Sequence, residues 1–195
     1  MFAETALLLC KKCSTIIVDA RGSGNKETFT QPPPDWSFIK IGTTGEIQGQ
    51  PFKIAGRVRL QLRNDYRNFW CAEYERGKCL WIAESFASFS LFTNTWTEYK
   101  KSVSKLRAGN WIPINENVKL RGEYVEKCEG ISIEGEVARW MLFKPGFFVV
   151  QSSNKDGTTA IYLIKDKDNV LWILGDKKSP DAFKLSNIVK WDEWT

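Results

Sequence analysis

The sequence predicts an all-β chain, an antiparallel barrel or sandwich, and three observations predict it. Residues 53–63 (KIAGRVRLQLR) alternate strictly: Val58, Leu60 and Leu62 fall on one side, and Arg57, Arg59, Gln61 and Arg63 on the other. That is the period of a half-buried strand. Short β-type runs then recur at 69–74, 79–83, 86–92, 118–120, 131–133, 147–151, 160–164 and 170–174. Turn residues separate them at Arg76-Gly77, Gly130, Lys155-Asp156-Gly157 and 166–169, and many short strands so spaced make sandwiches or barrels.

Four stretches differ in composition. Residues 1–22 form a Cys-x-x-Cys hairpin, with apolar runs on either side of Cys10-Lys11-Lys12-Cys13. Residues 23–36 are a linker whose Pro32-Pro33-Pro34 favours extended geometry. Residues 37–187 are the β domain, and 188–195 an aromatic tail with Trp191 and Trp194. Within the domain, Thr95-Trp96-Thr97-Glu98 has capping-box spacing and predicts one helix of about three turns ending near Leu106. Ser179-Pro180 predicts a single helical turn after it. A faint echo predicts two related β units, 38–93 and 113–175: residues 47–56 resemble 120–130, and Leu80-Trp81-Ile82 resembles Leu171-Trp172-Ile173.

Composition narrows the chemistry. The 195 residues are 43% apolar with 9 Trp, enough for a core in one domain. A net charge of +5 is compatible with an anionic partner but is too small for a nucleic-acid arm. The absence of histidine removes Ser-His-Asp and Cys-His nucleophilic sites and His-based zinc proteases. Five cysteines at irregular spacing fit reduced thiols in a cytoplasm. Residues 1–10 are too short and too acidic for a lipoprotein signal, and no stretch approaches the roughly 20 apolar residues of a membrane span.

Residues 39–84 resemble the bacterial domain-of-unknown-function family 4178. The likeness rests on Gly49, Phe52-Lys53-Ile54-Ala55-Gly56-Arg57-Val58-Arg59, then Trp70, Glu73, Gly77 and Trp81-Ile82-Ala83-Glu84. Lys119-Leu120-Arg121-Gly122 and Gly135-Glu136 extend it to about residues 38–187. Phe69 stands where the family carries an acidic residue, and the family's zinc ribbon is half present. The resemblance implies a structural domain without a catalytic signature, whose members accompany polyamine-synthesis and membrane-stress gene sets.

Candidate sites follow. Cys10 and Cys13 could direct two sulfurs at one zinc, but a ribbon needs a second pair about 15–20 residues on and none is there. The expectation is a ribbon turn without metal and no cofactor, with zinc and a redox dithiol as alternatives. Arg57, Arg59 and Arg63 share one strand face, with Lys53 and Arg67 near in sequence, and form an anion-binding candidate. The competing reading is a solvated charged face partly neutralised by Glu73 or Glu75. The tryptophans at 70, 81, 96, 111, 140 and 172 are core or, alternatively, a stacking platform. Glu73, Glu75 and Glu84 are the carboxylates that a common groove could collect. The function expected is a non-catalytic accessory binding or scaffold module with a protein partner in a bacterial cytosol. A nucleic-acid or anionic-ligand binder, with weak polyanion binding, and an enzyme using carboxylate or Cys chemistry are the alternatives.

Overall fold

The computed structural model describes residues 5–9, 16–18, 36–75, 78–85, 88–93, 96–138 and 145–190, with the backbone alone at 5–9, 16–18 and 138. Among the described residues strand makes up 61% and no helix reaches seven residues. The fold is therefore mostly antiparallel β.

The alternation of residues 53–63 lies in β4 (Gln50–Leu62) up to Leu62, with Arg63 just beyond, and β4 begins a four-stranded meander with β5 (Tyr66–Glu75), β6 (Lys78–Ser85) and β7 (Ser88–Phe92). A second meander runs β10 (Lys119–Ala138), β11 (Phe148–Ser153), β12 (Thr158–Ile164) and β13 (Val170–Lys178). Each meander is preceded by a short strand on its first member: β3 (Thr44–Ile47) pairs with β4, and β9 (Trp111–Pro113) with β10. First strands join first strands, β4 to β10, and last strands join last strands, β7 to β13. The eight strands close into a ring. At its margin β1 (Thr5–Leu9) pairs with the end of β10 and with β2 (Ile16–Val18), so the N-terminal hairpin continues this sheet.

The two halves thus share one strand order and meet through equivalent strands. One sequence echo follows this equivalence, since residues 50–56 lie in β4 and 120–130 in β10, and the other does not. Leu80–Ile82 lies in β6, while Leu171–Ile173 lies in β13, whose counterpart by position is β7. Spacing of apolar and aromatic residues recurs in any strand, so that second echo marked strands in general.

Inside the ring, side chains from both halves form one core that includes Val58, Leu60, Leu62, Phe69, Phe92, Ile131, Ile133, Val149, Ile161 and Ile173. The outer faces are also apolar, and each is covered by connecting chain. Over the first half, Ile54, Trp70, Ile82 and Phe89 pack under Ile39 and Phe183. Over the second, Val150, Ala160, Tyr162 and Val170 pack under Leu106 and Ile112, with Tyr99 and Val103 at the margin. Leu106 follows β7 in the chain and Phe183 follows β13. The segment leaving each half therefore lies over the other.

The expected three-turn helix at 95–106 does not form. Thr97–Glu98 is β8, paired with Trp172 and Leu171 of β13, and only Val103–Lys105 is helical, as a 3-10 turn capped by Ser102. Thr, Trp, Tyr, Ser and Val in this stretch are weak helix formers. Extended chain also lays Tyr99 against Tyr162 and Trp172, with ring centroids at 5.1 and 5.9 Å. The second expected turn is present as the 3-10 turn Pro180–Phe183. No helix among the described residues is long and apolar enough to cross a membrane.

Glycines permit the ring to close. A Cβ on Gly56 would lie 2.1 Å from the Glu136 carbonyl oxygen, and one on Gly175 would lie 2.1 Å from that of Leu91. Both contacts are with backbone across a seam, so neither neighbour can move aside cheaply. Gly56→Ala and Gly175→Ala are each expected to lower unfolding stability by about 1–3 kcal/mol or more. Urea unfolding checks this, and a midpoint equal to that of the native protein counts against backbone closure at that seam.

Candidate functional site

The Arg residues of β4 are not a solvent-facing stripe. Arg57 and Arg59 do share the outer face, but they are 7% and 2% exposed, and only Arg63 is open to solvent. A register shift between Ile54 and Gly56 puts Arg57 on the same face as Ile54, beside the covered outer cluster. Arg57 lies over the Trp70 ring at 4.8 Å and pairs with Glu134 at 2.7 Å. Arg59 lies over Tyr66 at 4.8 Å and donates from Nε to Asn68 at 3.0 Å. The expected neutralising carboxylates lie elsewhere: Glu73 is opposite Lys53, and Glu75 pairs with Lys78. Burial pulls both guanidinium groups below the ordinary arginine value, while the fields of Glu134 and Glu84 oppose that shift.

Glu84 does not share a groove with Glu73 and Glu75. It is 6% exposed, and its carboxylate accepts hydrogen bonds from Ser37 Oγ at 2.8 Å, Trp70 Nε1 at 2.8 Å and Asn68 Nδ2 at 3.1 Å. This outer-face cluster ties Ser37, at the start of the domain, to β5 and β6. It is a fastening for the covering segment, built from cation–π contacts and satisfied buried charge. Glu134→Ala removes the carboxylate 2.7 Å from the buried Arg57 guanidinium and is expected to cost about 2–3 kcal/mol, whereas Glu134→Gln costs about 1. Chemical denaturation of the two variants checks the order. Equal losses would show that charge pairing is not what Glu134 contributes.

Arg67 is close to this stripe in sequence yet lies on the opposite face, inside the ring. Strand alternation groups it with Phe69 and Cys71. It marks one end of the ring, where the interior changes from apolar to polar. Arg67 Nη1 donates to Gln151 Oε1, and the guanidinium lies 5.0 Å over the Tyr124 ring. Gln151 Nε2 in turn donates to Glu123 at 2.5 Å. Glu123 also accepts from Ser153 Oγ, and it pairs with Lys177 at 2.5 Å. Burial would raise the Glu123 carboxyl, but the bonds from Lys177, Ser153 and Gln151 outweigh it and hold the group below the usual carboxylate range. Burial pushes the Tyr124 phenol up to about 12, against the field of Arg67.

Outside this polar end lies a groove of about 610 Å³, lined by Trp111, Arg121, Glu123, Ser153 and Lys155. Trp111 opposes Arg121 across β9 and β10, and Arg121 opposes Ser153 across β10 and β11, so the three form one row. The Trp111 ring is 60% exposed, and Arg121 and Lys155 are open to solvent. Gly109 and Gly122 line the same space without side chains. The arrangement offers a flat apolar ring beside two cations, with the one carboxylate already engaged by Lys177.

Sequence reasoning placed Trp111 among six tryptophans of mixed role, and the structure separates it from them. Trp70 and Trp81 are buried and Trp96 nearly so, while Trp172 is half-buried against Tyr162. Arg121, Glu123, Gln151, Lys155 and Lys177 went unmarked. A signal was present in Trp111-Ile112-Pro113, where one apolar residue between two outward positions sends the Trp out. Cys10, Cys13, Trp140, Trp191 and Trp194 lie outside the described residues. Among the described residues no three His, Cys, Asp or Glu side chains cluster as a metal would need. Cys128 is buried in the core and its thiol is pushed up to about 12 by burial. The Cys79 thiol is raised by its hydrogen bond with Cys71 and by burial.

The Glu123 network has a pH signature. Its folded value lies below the ordinary 4.5, so its stabilisation is complete above that value and is lost as pH falls through the folded value. Glu123→Gln is expected to be less stable than the native protein at neutral pH, with the gap narrowing steadily below pH 4.5. Denaturation curves of both proteins across that range check it, and a pH-independent gap refutes the ion-pair account. No family model, no curated protein and no solved structure matches the chain.

Proposed function

We propose that the protein is a non-catalytic binding module whose ring-end groove takes an anionic ligand with a flat face, of the nucleotide type. The observation that carries this reading is the exposed Trp111 ring set in one row with Arg121 beside Lys155. Flat ligands stack on such a ring, and the neighbouring cations meet their charge. The groove replaces the β4 arginines as the anion-binding face, because two of those are engaged under cover. The resemblance to family 4178, with no catalytic signature, agrees with a binding role in a bacterial cytosol.

A protein partner is the second reading, favoured by Phe148 and Val125. They are 46% and 38% exposed and lie diagonally on the outer face of β10 and β11.

The test is fluorescence titration with a short oligothymidylate, AMP and heparin at low salt. Trp111→Ala is expected to weaken oligothymidylate binding about tenfold or more with stability unchanged. Arg121→Ala/Lys155→Ala should lower the salt slope by about two. Binding of AMP alone marks a free nucleotide, and binding of the oligomer alone marks a single strand. Heparin binding equal to that of the oligomer, or binding indifferent to Trp111→Ala, would sink the stacking site. No binding of any probe at low salt sinks the anionic reading and leaves the outer-face patch as the better one.

A further inference from the structure

We infer that the polar end of the ring interior holds a small monovalent inorganic anion, halide-sized, against Arg67. This inference does not rest on the groove outside. Arg67 is 5% exposed, so its charge is withdrawn from water. Among the described residues it has no carboxylate within ion-pair distance. Its contacts are the amide oxygen of Gln151 and the Tyr124 ring, and its Nε is buried without an acceptor. A buried guanidinium with a neutral partner and an orphaned donor is costly unless a counter-charge is supplied.

The acids that could have supplied it are engaged elsewhere. Asp65 accepts from the Ser85 hydroxyl at 3.0 Å and from the Tyr66 amide at 2.5 Å. Glu123 is held by Lys177, Ser153 and Gln151. The Glu84 carboxylate is held on the outer face by Ser37, Asn68 and Trp70. By alternation, Arg67 instead faces Ser85 on β6 and Ser88 and Ser90 on β7.

These side chains surround a cavity of about 10 Å³ that Ala83, Glu84 and Gln151 also line, the Glu84 carboxylate being taken up by Ser37, Asn68 and Trp70. That is about one water-sized sphere, room for a single small species and none for sulfate or phosphate. The Ser85 hydroxyl proton is committed to Asp65, which leaves Ser88, Ser90 and Arg67 Nε as donors. Three donors, one of them on a cation, suit an anion better than a water where the Gln151 oxygen is already taken by Arg67 Nη1. Ser88 is open to solvent and gives the path of entry. The anion would be a fixed internal counter-charge at the point where the core stops.

The full-length protein is exchanged from gluconate into chloride or bromide at constant ionic strength, and its thermal midpoint is followed. A rise of several degrees that saturates with halide is expected, because an anion bound only to the folded state adds stability by mass action. Sulfate at the same ionic strength should give no saturating component. Arg67→Gln should lose the halide-dependent rise. If that variant does not fold, Ser88→Ala/Ser90→Ala keeps the guanidinium and should need several-fold more bromide for half the rise. Bromide anomalous scattering from native crystals should show a peak beside Arg67 Nε. A midpoint indifferent to halide in the native protein, or an anomalous map with nothing in the cavity, overturns the assignment.

Discussion

Closure of the eight-stranded ring at two seams is the constraint on which everything else depends. A meander of four strands leaves two backbone edges unpaired, and each half of this chain has that deficit. Pairing β4 with β10 and β7 with β13 satisfies both halves at once. Closure also fixes which faces are inside, and so brings Arg67, Tyr124, Glu123, Gln151 and Lys177 from four strands to one end. The glycines at the seams let the backbones approach closely enough for this pairing.

The ring interior is apolar through most of its length, and polar side chains collect where it ends. Buried polar atoms are tolerable there only when they satisfy one another. Glu123 meets that condition with three donors. On the outer face Glu84 meets it with three neutral donors, and Arg57 with Glu134 and the Trp70 ring. These charged clusters fix where the covering segments and strand ends lie, while the apolar clusters supply the bulk of burial.

Much of the strand content was legible because alternation is local. Val58, Leu60 and Leu62 declare their face without reference to any other part of the chain, and the structure buries all three. Two features were not legible. Whether the opposite face of β4 meets water depends on chain far away in sequence: Phe183 packs on that sheet, and Glu134 reaches Arg57 across 77 residues. Arg57 and Arg59 therefore looked like surface charge. The bulge at Gly56 and the turn before Tyr66 decide which arginine points inward, and neither is visible in the charge pattern. The capping-box spacing at 95–98 likewise described a local option that lost to pairing with β13 and packing on Tyr162. The candidate groove was obscured for the same reason, since its residues come from three strands and a turn.

The crossing of the two covering segments bears on how the chain can be divided. The strand meander of either half, taken alone, keeps an inner apolar face with no opposite wall. Its outer face also lacks the Leu106 or Phe183 segment that arrives from the other half's exit. Neither half is therefore a folding unit, although each has a complete set of strands. A backbone cut near residue 95 would produce two fragments that gain structure by complementing each other. The same reciprocity allows two whole chains to exchange halves at high concentration, giving an intertwined dimer in which every ring keeps the contacts of the monomer.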